Sequence, residues 1–296
     1  MDSSRRDFLQ KSLVLSGSVL LPGWLWAAPK AQQRYQIAVI DLMILKRQKL
    51  SAFELTKEIG ADGLEVDMGG LGNRDTFDSK LAGPAARQEF LDKAKETGLE
   101  ICSLAMTGFY AQSFATRPTY QQMVGDCLET CKAMGVKVAF LPLGIQGDLR
   151  QHPELRPAIV ERLKLVGAMA KKAGVVIGIE TALDAQGEVA LLKDIGSRNI
   201  QIYFNFSNPL KEGRDLISEL KILGKKRICQ IHCTDEDGVW LENNTRLNMP
   251  KVKATLDAMG WKGWLVIERS RDASLSPKMV KENFGANTRY MKSIFQ

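Results

Sequence analysis

Apolar residues in this chain gather in short, nearly unbroken runs, each closed by a polar or charged residue at its C-terminal end. Val175-Val176-Ile177-Gly178-Ile179-Glu180 is the clearest case, with one carboxylate after the run and then the polar loop Thr181–Glu188. A strand that is apolar throughout is covered on both faces, as in a parallel sheet. A carboxylate closing such a strand has to emerge at a rim, because an uncompensated charge in the core is too costly. Ile200–Asn205, Ile228–His232 and Leu265–Glu268 repeat the pattern, and Tyr35–Leu42, Gly63–Asp67, Glu100–Ala105 and Lys137–Leu143 read as four earlier strands.

Between the strands the apolar spacing changes to that of helices. Helices are predicted over Ser51–Ile59, Pro84–Thr97, Thr119–Met134, Pro153–Ala173, Glu188–Ile195, Gly213–Leu223, Lys251–Met259 and Pro277–Ile294. Ser51 reads as an N-cap with Glu54 completing a capping box, and Pro84 sits in a first turn. Glycines follow several of the helices, at 60, 98, 135, 174 and 260. No Pro/Gly/Ser-rich divider interrupts the alternation, and no Gly-x-Gly-x-x-Gly turn follows the first strand, which argues against a dinucleotide fold. The expected fold class is therefore α/β: a single closed (β/α)8 barrel of the TIM type over residues 35–296, a fold that typically takes about 250 residues.

Composition narrows this picture only a little. The chain is 45% hydrophobic and 25% charged, as an ordinary soluble globular protein is, and its formal charge is +7. No five-residue basic run occurs, so the charge reads as a solvated surface and no nucleic-acid partner is expected. The five cysteines lie in apolar segments and read as buried thiols, Cys127 and Cys131 being one helical turn apart. Ser4-Arg5-Arg6-Asp7-Phe8-Leu9-Gln10, followed by the apolar run Leu13–Trp26, resembles a twin-arginine translocation signal. That resemblance implies a signal peptide over 1–28, a linker over 29–34, the twin-arginine translocase as a partner during export, and a periplasmic or otherwise exported location. The apolar run is too short and interrupted for a good transmembrane helix. Cleavage near Ala27 or Ala28 leaves a large residue at the −3 position, so a retained membrane anchor stays open as the alternative.

In a closed barrel the C-terminal strand ends meet at one mouth, so Glu180, Asn205, His232 and Glu268 should converge from the fifth to eighth strands. Carboxylates and an imidazole suit Mn²⁺, Mg²⁺, Co²⁺ or Zn²⁺. Through Ile179-Glu180-Thr181, Asn205-Phe206-Ser207-Asn208, Ile231-His232-Cys233-Thr234-Asp235 and Ile267-Glu268, the chain resembles the xylose isomerase-like barrels, the sugar phosphate isomerase/epimerase group that includes ketose 3-epimerases. The resemblance implies a divalent metal held by Glu180, Asn205, His232 and Glu268. Two departures stand out: Asn205 occupies the position of an aspartate, leaving its carbonyl as the ligand, and Thr234 replaces the lysine of a His-x-Lys-Asp pattern.

Epimerising or isomerising a sugar needs an acid/base group on each face of the substrate and a means of stabilising the enediolate oxygen. Glu180 and Glu268 are the candidate catalytic pair. Gln186, Asn208 and Asp235 are candidate ligands for sugar hydroxyls, with orientation of His232 as the alternative role for Asp235. Trp240, Phe109 and Tyr110 are candidate stacking surfaces, with packing as the alternative. Glu65 reads as one half of a salt bridge inside the barrel or as a mouth residue with Asp67, and His152 as a surface residue. The acidic loop Thr234–Gly238 lies where many barrels grip phosphate, so an unphosphorylated or oxidised carbohydrate is expected, with Arg269 and Arg271 the only nearby compensation. A keto-sugar lyase or hydratase shares the first proton abstraction, and a non-catalytic carbohydrate-binding barrel would tolerate Asn205; both remain open at this level.

Overall fold

In the computed structural model, which describes residues 34–70 and 74–296, eight parallel strands pair in sequence order and the eighth closes on the first. They are β1 (Tyr35–Ile40), β2 (Gly63–Asp67), β3 (Glu100–Ala105), β4 (Val138–Pro142), β5 (Val176–Glu180), β6 (Ile200–Asn205), β7 (Ile228–His232) and β8 (Gly263–Ile267). Closure runs in register from Tyr35 opposite Gly263 to Val39 opposite Ile267. The helices around it are α1 (Ser51–Ile59), α2 (Pro84–Thr97), α3 (Tyr120–Met134), α4 (Arg156–Ala173), α5 (Ala185–Ile195), α6 (Ser207–Lys211), α7 (Leu216–Leu223), α8 (Met249–Met259) and α9 (Val280–Phe295). The predicted signal segment 1–28 and residues 29–33 of the predicted linker 29–34 lie outside the described residues. Among the described residues no helix is long and apolar enough to cross a membrane.

The pleat divides each strand between two cores. Ile37 and Val39 join the large apolar layer beneath the helices, whereas Ala38 and Ile40 join a small cluster inside the barrel. Ile202 and Phe204 flank the inward Tyr203 in the same way, and Leu265 and Ile267 flank the inward Val266. Across from the outer faces, α4 presents Ile159, Leu163, Val166 and Ala170, all fully buried at helical spacing. Burying each of the larger three contributes roughly 1.5–3 kcal/mol. The five cysteines are free thiols, and Cys127 and Cys131 sit in the buried stripe of α3.

Helix ends depart from expectation where capping chemistry was misjudged. Ser51 does not cap α1: it lies inside the first turn, the cap position is Leu50 with no side-chain hydrogen bond, and a turn from Lys49 leads in. Helix α5 begins three residues earlier than predicted because the Asp184 carboxylate accepts from the Gly187 N–H, and α7 begins three later because Asp215 accepts from the Ser218 N–H. The short α6, directly after β6, was not predicted. Its first residue turns out to matter for the site.

Candidate active site

Two-residue periodicity settles which strand-end side chains point inward. Gly178 and Tyr203 face the barrel axis, so Glu180 and Asn205, two positions on, do as well; His232 follows the outward Ile231 on β7, and Glu268 lies two positions after the inward Val266 at the end of β8. The four residues expected to converge form one hydrogen-bonded chain. His232 Nδ1 lies 3.0 Å from Glu180 Oε2, Asn205 Nδ2 donates to Glu180 Oε2 at 3.2 Å, and the same Nδ2 donates to Glu268 Oε2 at 3.0 Å. The other end of the Asn205 amide, Oδ1, accepts the Ser207 backbone N–H at 2.9 Å and lies 2.9 Å from the Ser207 hydroxyl.

Beneath this chain sits a second carboxylate pocket. Glu65, fully buried on β2, accepts through Oε2 from the Ser103 and Tyr203 hydroxyls, each at 2.7 Å. Its Oε1 lies 3.5 Å from His232 Nε2. The imidazole is therefore flanked by a carboxylate on each ring nitrogen and walled by the rings of Tyr203 and Phe140 at 4.4 and 4.9 Å. Burial by itself pushes an imidazole toward neutrality, but the hydrogen bond to Glu180, the facing Glu65 carboxylate and the Glu268 charge outweigh it, raising the His232 pKa to about 10. His232 is thus a buried cation at neutral pH. Burial also raises the Glu268 carboxyl above its ordinary range, with the neighbouring Glu180 charge adding to it and His232 opposing. The Tyr110 hydroxyl donates to Glu180 Oε1 at 3.4 Å, and burial followed by the Glu180 charge keeps that phenol protonated.

Above the chain opens a cavity of about 400 Å³, a size that admits a sugar. Leu42, Met43 and Ile145 give apolar lining; Tyr110, Lys211 and Arg269 give donors. Arg269 Nε lies 3.9 Å from Glu268 Oε1.

Several sequence-derived site residues fall elsewhere. Gln186 is exposed on the first turn of α5 and does not line the cavity, since the helix start turns it away from the mouth. Asp235 neither lines the cavity nor touches His232; Arg246 grips it at 2.5 and 2.8 Å and Asn244 at 2.9 Å. Trp240 donates its indole N–H to Asn283 on α9 at 3.0 Å, outside the cavity. Phe109 packs edge-on between Phe77 and Phe114. Asn208 does line the cavity, although its amide donates to the Thr181 carbonyl at 2.9 Å. Asp67, also buried, pairs with Arg47 at 2.8 Å and accepts from Thr107 at 2.7 Å. His152 is exposed beside Glu154. Sequence reasoning missed Ser103 and Tyr203 as partners of Glu65; inward parity of Tyr203 with Asn205 was the signal available.

As a site for a divalent ion the set does not fit. Metal ligation needs lone pairs aimed at a common point, but the atom Asn205 directs between the glutamates is its NH₂ group, and both imidazole nitrogens face carboxylate oxygens. The Asn205 carbonyl, the oxygen expected to be a ligand, here accepts from the Ser207 N–H. Among the described residues no three His, Cys, Asp or Glu side chains converge as a metal-binding group.

Comparison with known proteins gives concordant results. Residues 53–293 match the family profile described as "Xylose isomerase-like TIM barrel". Over 175 residues the chain is 23% identical to the 2-epi-5-epi-valiolone 7-phosphate 2-epimerase of Actinoplanes sp., an alignment covering 58% of this chain and 63%, less than two thirds, of that relative. Among solved structures, the fold matches the 3-keto-D-glucoside 4-epimerase of E. coli with a TM-score of 0.67 at 18% identity, covering 88% of this chain and 100% of that one. It also matches the D-psicose 3-epimerase of Clostridium cellulolyticum H10 crystallised with D-tagatose, with a TM-score of 0.68 at 14% identity, covering 88% and 99%.

Proposed function

The chain belongs to the xylose isomerase-like TIM barrel family, and from that premise we propose that it is a sugar epimerase or isomerase that moves a proton at a carbon next to a carbonyl, with Glu180 and Glu268 as its acid/base pair. The observation that carries this reading is the single NH₂ group of Asn205 bonded to both carboxylates beneath one sugar-sized cavity. Two carboxylates so placed approach a bound substrate from different sides. One takes the proton from the carbon while the other, protonated, returns one to the opposite face, which inverts that centre. Burial raises Glu268 above the ordinary carboxylate range, bringing its affinity for a proton closer to that of an acid/base group working near neutral pH. The negative charge that develops on the carbonyl oxygen needs a donor already in place; the Arg269 guanidinium lines the cavity and serves that role. No step in this reading passes through a metal.

The substrate class we favour is an unphosphorylated or oxidised sugar, in agreement with the engagement of nearby cations. Of the cations that line the cavity, Arg150 is paired with Asp148 at 2.8 Å and Glu212 at 2.6 Å and Lys211 with Glu236 at 3.2 Å, which leaves Arg269, 3.9 Å from Glu268, as the loosely held one. The Arg5-Arg6 signature supports work outside the cytoplasm. The test is solvent exchange in D₂O over a panel of aldoses, ketoses and 3-keto-glycosides, followed by NMR. One carbon of one sugar should exchange, and Glu268→Gln should slow epimerisation at that carbon by about 10²–10⁴-fold. An unsaturated product would point to a lyase, and binding with no exchange anywhere to a sugar-binding barrel. Turnover of a sugar phosphate but not its parent sugar would contradict the substrate class.

A further inference from the structure

We infer that this site is organised without a divalent cation, the Asn205 carboxamide NH₂ taking the position between Glu180 and Glu268 where a cation would otherwise bridge them. The inference deepens the functional reading above but does not require turnover to be tested. It stands on the orientation of one amide. Ordinarily the two ends of an asparagine are hard to tell apart, and the hydrogen-bond network decides. Here the network decides firmly, because the Ser207 backbone N–H is an obligatory donor and faces one end of the amide at 2.9 Å. Turning the amide over would set NH₂ against the Ser207 N–H at a residue pair only 5% exposed, leaving that N–H without an acceptor. It would also aim the carbonyl oxygen at two carboxylates.

As it stands, each proton of the NH₂ group meets one carboxylate oxygen, at 3.2 and 3.0 Å. An aspartate at the same position would keep one oxygen on the Ser207 N–H and turn its second toward Glu180 and Glu268. Three carboxylate oxygens would then converge, an arrangement relieved by a bound cation or by a proton on one of them. The amide nitrogen thus converts a ligand position into a donor position, and α6 supplies the N–H that fixes it. Of His232's ring nitrogens, Nδ1 is on Glu180 at 3.0 Å, while Nε2 faces Glu65 Oε1 at 3.5 Å without a hydrogen bond.

The experiment uses the full chain with Mn²⁺ alone as the probe. Wild-type protein is loaded with millimolar MnCl₂, desalted and analysed for bound metal, and thermal unfolding is followed in MnCl₂ and in EDTA. The expected result is no stoichiometric metal and the same midpoint in both buffers. Asn205→Asp should unfold at lower temperature than wild type in EDTA, recover in MnCl₂, and bind Mn²⁺ more tightly than wild type by about tenfold or more. Asn205→Ala, which lacks the added carboxylate, should gain no such binding. Stoichiometric Mn²⁺ in wild type, or a midpoint that rises with Mn²⁺, would overturn the inference, and this arm decides even where the aspartate variant does not fold. A folded Asn205→Asp protein that fails to take up Mn²⁺ would overturn it as well. A chain inert toward every sugar contradicts the functional reading and leaves this result untouched.

Discussion

Glu65 shows how a side chain that reads as ordinary in sequence acquires its role from closure of the barrel. In the run Gly63–Asp67 it is one charge in a strand, legible as an inward salt-bridge candidate but without a visible partner. Ser103 is its register partner on the neighbouring β3, whereas Tyr203 and His232 lie on β6 and β7, and only the closed sheet brings those two within reach. Asp235 is the opposite case: three residues after His232 it looked like the group to orient the imidazole, yet Arg246 outbids the ring for it. The account therefore assigns His232's cationic state to Glu180 and Glu65, and the sign can be checked. A pKa raised from 6.5 to about 10 means the protonated ring stabilises the fold in full below about pH 6.5 and loses that contribution as pH rises through 10. With two histidines in the chain, ring-proton NMR resolves the titration of each. The His232 signal should remain that of the cation at pH 8, and Glu65→Gln should move its midpoint down. A neutral His232 ring at pH 7 in wild type would remove the basis for this assignment.

Among the elements, the strands were the most legible, because apolar runs closed by a polar residue fix both their length and their parity. The predicted and observed β2, β3, β6 and β7 share their bounds, and the others, including the last strand predicted over Gly263–Glu268, differ by one or two residues at one or both ends. Helix starts were less legible, since a serine followed by a glutamate three residues later does not distinguish a cap from a first turn when the preceding residues already coil, as they do before α1. Helix α6 escaped because its five residues, which include Asn208 and Pro209, carry no apolar periodicity. It is nevertheless the element that sets the Asn205 amide. Strand β5 makes a separate contribution through Gly178, where an added Cβ would sit 2.6 Å from Cys229 Sγ and 3.0 Å from the Tyr203 ring. Gly178→Ala should destabilise the protein by about 1–3 kcal/mol in urea unfolding. Because Tyr203 holds Glu65, the same change should also slow any exchange reaction. An alanine variant as stable as wild type would show that this contact yields easily.

For the whole molecule, closure of eight strands is what makes chemistry from residues 88 positions apart, Glu180 and Glu268. Alternation of strand and helix with glycine at the joints made that topology readable, and topology in turn made four of the strand-end residues readable as one group. Loop residues were not readable in the same way: Gln186 and Trp240 depend on where α5 starts and on which face α9 offers, and neither follows from strand parity. The central claim, two carboxylates serving opposite faces of one carbon, has a direct test once the exchange panel has found a sugar. Glu180→Gln and Glu268→Gln are each incubated in D₂O with each epimer of that sugar, and exchange and epimerisation are followed separately by NMR. Each variant should still exchange the C–H of one epimer, a different one in the two cases, while epimerisation falls by about 10²-fold or more in both. Two variants that exchange the same epimer, or that epimerise at the wild-type rate, would contradict the account.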